Sequence, residues 1–268
     1  MCELLMMSSS VPATVNVELG VLARHGGGEG PDRDGWGIAY YQDDDVRLIK
    51  DAAQAYGSPW IGFVEGLALK SRLVIAHIRR ATTGKIALRN THPFARELHG
   101  RMHVFAHNGA VPSIFAASEF QLGRFRPVGE TDSEFAFCAL MERLAAAHDK
   151  HKRLTLAQRS DIVAQFARDM RALGPANFLF ADGEAVYLHG DRRQMHAGRS
   201  AEGPGLHYHV QHSVAGRPLA GARGVKVKDG DRPVILAASV PLTDEEWTPL
   251  AKGELLVVQN GAIYQRLS

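Results

Sequence analysis

Leu255-Leu256-Val257-Val258-Gln259-Asn260-Gly261-Ala262-Ile263-Tyr264-Gln265 is the stretch whose reading decides the fold class. Two short runs of apolar and β-branched residues flank Asn-Gly, the dipeptide best suited to the positive φ angles of a two-residue hairpin. Leu255–Gln259 and Ala262–Gln265 are therefore expected as adjacent antiparallel strands. A second pair, Phe178–Phe180 and Ala185–Leu188, lies either side of Asp182-Gly183. Further β-type runs are Glu3–Met7, Trp36–Tyr41, Val46–Ile49, Leu73–Ile78, Met102–Ala106 and Val234–Ala237. Strands this close together, joined by turns, favour antiparallel sheets over a doubly wound parallel one.

Helical patterns separate the strand groups. Ser58-Pro59 places a cap and a first-turn proline before a run reaching Leu69. Thr131–Glu134 has capping-box spacing ahead of Phe137, Leu140, Met141 and Leu144 at helical intervals. Ile162, Phe166, Met170 and Leu173 repeat the pattern until Gly174-Pro175 ends it. The expectation is an α+β fold, two antiparallel sheets between helices, forming one domain over residues 2–268. The loosest segments, His25–Asp34 and Ala197–Gly205, read as loops within it.

Composition narrows the function. Lys+Arg number 31 and Asp+Glu 29, a net charge of +2. The basic clusters, Arg192-Arg193 and Lys150-His151-Lys152-Arg153, are short, so no nucleic-acid partner is expected. Two cysteines, Cys2 and Cys138, exclude a disulfide-built scaffold and a cysteine-rich metal module. His207, His209 and His212 have no companion carboxylate or cysteine at ligand spacing, so no metal or organic cofactor is expected. Nothing reads as a membrane span or a secretion signal, and the expected compartment is the reducing cytoplasm.

Four features carry chemistry. Removal of Met1 would leave Cys2 with a free α-amine, placing a nucleophile and a base on one residue, with thiol and amine pKa values of ~8.5 and ~7.7–8.0. His107-Asn108-Gly109 follows the apolar run Met102–Ala106. It is either a strand-end turn or a pair of oxyanion donors, the Asn108 amide and the Gly109 N–H. Arg79, in Ala76–Thr82, is either a solvated strand-end charge or a fork for a carboxylate. Asp132, in Gly129–Glu134, is either a helix cap or an ammonium acceptor. Taken together they suit attack on the side-chain amide of a free α-amino acid, with glutamine the natural fit.

In order along the chain stand Cys2, Asp34-Gly35-Trp36-Gly37, His77-Ile78-Arg79, Ala81-Thr82, Asn90-Thr91-His92-Pro93-Phe94, His107-Asn108-Gly109 and Thr131-Asp132-Ser133-Glu134. This ordered set resembles the class II glutamine amidotransferases, N-terminal-nucleophile hydrolases with a four-layer αββα sandwich. Asn177-Phe178-Leu179 and Ser239-Val240-Pro241-Leu242-Thr243 resemble the stand-alone bacterial branch, which includes the γ-glutamyl hydrolase of ergothioneine biosynthesis. The resemblance implies Cys2 as nucleophile with its α-amine as base, and Asn108 and Gly109 as oxyanion hole. Arg79 would grip the substrate carboxylate, and Asp132 with the Gly109 carbonyl the ammonium. Thr82 and His92 would line or support the pocket, and Arg24 matches an arginine kept near the nucleophile. Arg80 and Thr83 depart from the synthase-linked members, which carry tryptophan and histidine there, so the outer pocket wall differs. The expected reaction is hydrolysis of glutamine to glutamate and ammonia through a Cys2 thioester. The alternatives are a γ-glutamyl amide or peptide hydrolase acting on a larger conjugate and a non-catalytic glutamine-sensing module. A small-molecule substrate is the expected partner, and a partner synthase or a homo-oligomer is left open.

Overall fold

The computed structural model describes residues 2–17, 34–67, 69–81, 83–151, 153–193, 200–212, 225–228 and 233–268. Two antiparallel sheets pack face to face. The first comprises β1 (Glu3–Val17), β2 (Trp36–Gln42), β3 (Asp45–Asp51), β4 (Lys70–Ile78), β9 (His207–His212), β10 (Val225–Lys228), β11 (Pro233–Ala238) and β12 (Thr248–Pro249), in the order β12-β9-β11-β1-β4-β2-β3 with β10 also on β1. The second comprises β5 (Phe94–Leu98), β6 (Arg101–Gly109), β7 (Ala176–Ala181), β8 (Val186–His189), β13 (Leu255–Gln259) and β14 (Ala262–Leu267), in the order β14-β13-β8-β7-β6-β5.

The Asn-Gly hairpin forms as read. β13 pairs with β14, Gln259 opposite Ala262, and Asn260 and Gly261 adopt φ of 51° and 71°. Both central residues thus take the left-handed conformation that this turn type demands.

Alternation along the strands assigns each face. On β1, Leu4 and Met6 enter the layer between the sheets, whereas Leu5 and Met7 point to the outer face of the first sheet. On β6, Val104 and Ala106 enter the same inter-sheet layer, and Phe105 points away from it. The period of two makes this unavoidable once the strands are buried on both sides. Outside the second sheet lie α2 (Asp132–His148) and α3 (Leu156–Leu173), packed on Phe105, Phe178 and Phe180. Phe105 stacks on Phe137 at 5.4 Å between ring centroids. Outside the first sheet lies α1 (Pro59–Gly66), which buries Ile61 and Val64 and leaves Trp60 and Phe63 exposed. Helices therefore flank two central sheets, with a thinner helical cover on the first.

Some expectations are corrected. β6 does not stop at Ala106: it runs through Asn108 to Gly109, paired with β7 down to Gly109–Ala176, so Asn-Gly is strand here and not a turn. α1 ends at Gly66 and does not reach Leu69. The capping box of α2 is half formed. Thr131 Oγ1 accepts from the Glu134 amide, but the Glu134 carboxylate turns to Arg96 and to the amides of Val128 and Gly129. A complete box opens α3 instead, between Thr155 and Gln158.

Candidate active site

The site lies where the ends of β1, β4 and β6 meet the start of α2. Cys2 precedes β1 and is half-buried. Its Sγ rests against the Arg80 peptide, accepting from the Arg80 amide at 3.2 Å and facing the Arg80 carbonyl at 3.4 Å. That amide is a donor placed where negative charge on sulfur would form.

Asn108 shares the parity of Val104 and Ala106 on β6, so its side chain turns toward β1. Its Nδ2 donates to the Cys2 carbonyl at 2.6 Å. A side-chain amide has two N–H donors, so one remains for a further acceptor. Asn177 on β7 donates to the Asn108 carbonyl at 3.1 Å and to the Arg192 carbonyl at 2.7 Å, while its Oδ1 accepts from the Asp191 amide. Gly109 has to be glycine, because a Cβ there would lie 1.9 Å from the Pro175 carbonyl oxygen.

Arg79 is buried, and its guanidinium is held by backbone carbonyls: Thr83 at 3.0 Å, Lys85 at 3.2 Å, and Asp34 and Gly84 at 3.4 Å. Burial lowers its pKa, and the charges of Cys2, Asp34 and Glu130 act against that shift. It is not the solvated strand-end charge of the simpler reading. Asp34 ties the same region together, since its Oδ2 accepts from the Ala81 amide at 2.7 Å. Asp132 begins α2 and is buried. Its Oδ2 accepts from the Val111 amide at 2.7 Å and its Oδ1 from the Ser133 amide at 2.8 Å. A carboxylate has about four lone-pair sites, so capacity for an ammonium remains.

His92 is buried, with its ring 4.3 Å from that of His77 and 4.4 Å from that of Phe94. Neither ring nitrogen of His77 or His92 has a hydrogen-bond partner among the described residues. Burial, reinforced by neighbouring positive groups, drives His77 down to about 3 and His92 well below the usual histidine value. Both are therefore neutral packing rings at working pH. His107 places Nδ1 2.9 Å from Ser133 Oγ, linking β6 to α2. Thr82, Arg24 and most of the glycine-rich loop fall outside the described residues.

Two residues of this site escaped the sequence reading. Arg193, read there as part of a short basic cluster, is buried and ion-paired to buried Glu3. It also donates to the Ser239 carbonyl at 3.0 Å and to the Cys2 carbonyl at 3.4 Å. No spacing links Glu3 to Arg193, 190 residues apart. The one available signal was an acid at the head of the apolar run Leu4–Met7, which implies a buried partner. Cys138 is buried in α2, where desolvation pushes its thiol up to about 11, as suits packing and not nucleophilic chemistry. Among the described residues no cluster of His, Cys, Asp and Glu could hold a metal ion. His209 pairs with Glu245 at 3.2 Å and bonds the Glu246 carbonyl.

With this geometry in place, comparison with known proteins decides the family. The model of the class-II glutamine amidotransferases matches residues 1–268. The chain belongs to the class-II glutamine amidotransferases. Among relatives of this amidotransferase, YafJ of Escherichia coli (strain K12) is 42% identical over 186 residues, 69% of this chain and 71% of that protein. MJ1515 of Methanocaldococcus jannaschii is 33% identical over 97% of this chain and 70% of its own length. A crystal structure of a predicted glutamine amidotransferase from Pseudomonas aeruginosa PA01 is 33% identical and superposes with a TM-score of 0.69, covering 98% of this chain and all of that one. Glutamine phosphoribosylpyrophosphate amidotransferase from B. subtilis is 17% identical, with a TM-score of 0.61 over 99% of this chain and 49% of that one, and shares the fold. The two-sheet sandwich is thus the amidotransferase fold that the resemblance implied, and the protein is an enzyme. Among the described residues no helix is long and apolar enough to cross a membrane.

Proposed function

We propose that this amidotransferase hydrolyses the side-chain amide of glutamine to glutamate and ammonia through a thioester on Cys2. The observation that carries the reading is the 2.6 Å hydrogen bond from Asn108 Nδ2 to the Cys2 carbonyl, which sets the nucleophile's residue directly beside an oxyanion donor. In this mechanism Met1 is removed and the freed α-amine takes the Cys2 thiol proton. Sulfur attacks the amide carbon, and the oxyanion accepts from the second Asn108 N–H and the Gly109 N–H. The C–N bond then breaks, the amine returns its proton, and ammonia leaves. Water attacks the thioester, releasing glutamate and restoring the thiol. Each oxyanion donor typically contributes ~3–4 kcal/mol to the transition state.

Asp132 would hold the substrate ammonium. Arg79 would hold the α-carboxylate, exchanging one or more of its backbone carbonyl partners for the substrate. The chemistry needs a reduced thiol, and the proposed compartment is the reducing cytoplasm. Glutamine turnover by Met1-processed protein, with processing checked by intact mass, tests the proposal. Cys2→Ala is expected to abolish turnover. Full activity in that variant sinks the mechanism, and faster turnover of a γ-glutamyl conjugate than of glutamine reassigns the substrate.

A further inference from the structure

β6 and α2 each have one end in the candidate active site, at Asn108-Gly109 and Asp132. Their opposite ends border a separate cleft of about 860 Å³. The rise per residue puts that cleft about 17 Å from Asn108 along β6, measured at His103, and about 24 Å from Asp132 along α2, measured at His148.

The cleft gathers four of the chain's 13 histidines, His99, His103, His148 and His151, with Lys150 and Arg153. Arg101 and Arg159 also line it, but their charges are answered. Arg159 meets Asp182 at 2.8 Å and Glu184 at 2.9 Å, and Arg101 meets Asp44 at 3.0 Å and Glu184 at 3.1 Å. Among the described residues Asp182 is the cleft's only lining carboxylate, and it is spent on Arg159 and on the Tyr187 hydroxyl at 3.1 Å. Among the described residues, Lys150 and Arg153 have no carboxylate partner. Asp149, beside Lys150, is committed to Arg124 at 2.5 Å.

The imidazoles are built in and not incidental. His103 is 5% exposed, stacked on Phe180, with Nδ1 3.2 Å from the Arg101 carbonyl. His148 Nδ1 is buried without a partner among the described residues, and its ring lies 4.2 Å from that of His99. Burial lowers both His103 and His148, and the charge of His99 lowers His148 further. A neutral imidazole has one N–H, and that of His103 faces the Arg101 carbonyl. His99, His148 and His151 are the rings left to offer an N–H beside two unanswered cations, an arrangement that an anion completes.

We propose that this cleft binds a small phosphate-bearing metabolite through Lys150, Arg153 and the histidine cluster. A phosphate group carries nearly two charges near neutral pH and three acceptor oxygens, matching donors that arrive from several directions. The Arg153 guanidinium can take two of those oxygens in parallel. The volume lies within the range of small-molecule sites and exceeds what a bare ion needs.

The test is calorimetric titration of the full-length protein with inorganic pyrophosphate, with citrate at matched ionic strength as the carboxylate polyanion. Saturable binding at one site per chain is expected, weaker by about tenfold or more in the Lys150→Ala/Arg153→Ala variant. Both side chains are exposed and distant from Cys2, so glutamine turnover by that variant should be unchanged, which keeps this result independent of the proposed reaction. Absence of saturable heat, binding untouched by the double substitution, or citrate binding as tightly as pyrophosphate would each overturn the assignment.

Discussion

The Cys2 carbonyl accepts from the Asn108 amide and, at longer range, from Arg193, whose charge is answered by Glu3. Both ionic partners are buried, so removing Arg193 takes from Glu3 a buried counter-ion that water does not replace. Arg193→Met is expected to cost about 3–5 kcal/mol of stability, measured by urea unfolding. A Glu3→Leu/Arg193→Met double variant should recover much of that loss, because neither member of the pair is left facing the other's empty place. A double variant no more stable than the single one would show that the damage comes from lost packing. Asp132→Asn separates charge from geometry at the other end of the site. The asparagine oxygen can still accept from the Val111 amide, but it offers no charge to a substrate ammonium. Loss of a charged hydrogen bond predicts a fall in kcat/KM for glutamine of about tenfold to a hundredfold, carried mainly by KM. About 1–3 kcal/mol of stability should go with it, because the new side-chain N–H faces the buried Ser133 amide that Asp132 Oδ1 receives.

β6 is the element on which the site depends, and its last residues show where sequence reading works and where it stops. Gly109→Ala would drive a methyl into the Pro175 carbonyl, so β6 and β7 must part at their Gly109–Ala176 pair. The expected cost is about 1–3 kcal/mol of stability together with near-complete loss of turnover, because the Gly109 N–H moves with the strand. Turnover close to wild type in a folded Gly109→Ala protein would remove Gly109 from the oxyanion hole. The apolar run gave this strand only as far as Ala106, because polar His107 and Asn108 break the pattern although both are buried. They sit inside because Ser133 and the Cys2 carbonyl receive them, partners that lie far off in sequence. β13, by contrast, was legible at both bounds, since its signal is local: β-branched residues closed by Asn-Gly. β5 passed unread because its charged residues, Arg96 and Glu97, mask a strand that only pairing with β6 defines. The proposed site residues Cys2, Arg79, Asn108, Gly109 and Asp132 stand in ordered motifs that can be read along the chain, whereas the Glu3–Arg193 pair beside Cys2 cannot. It depends on chain crossings and leaves no spacing to read.

Across the whole molecule, buried neutral histidines set the acid response. His77, His92, His107 and His189 are all buried, each with its pKa lowered chiefly by desolvation, His77 to about 3 and His189 to about 4. Unfolding returns each ring to water, where it titrates near ~6.5. Below that pH the unfolded chain binds protons that the native state refuses, so stability falls as pH falls. The loss continues until the folded pKa is reached, near 4 for His189 and near 3 for His77. Each such ring contributes up to about 1.4 kcal/mol per pH unit within its window. Carboxylates held low by arginine, such as Glu130 beside Arg89 and Glu184 beside Arg159, add their own loss only below about pH 4.5, so the interval from pH 6.5 to 4.5 belongs to the histidines. Urea unfolding across that interval should show a steady decline. In His189→Gln the decline between pH 6 and 5 should be shallower by about one proton's worth, even though the variant starts less stable for want of the ring's bond to the Ala176 carbonyl. A slope unchanged from wild type would show that His189 takes up its proton in the folded state, and that the packing of β7 against β8 leaves the ring open to water.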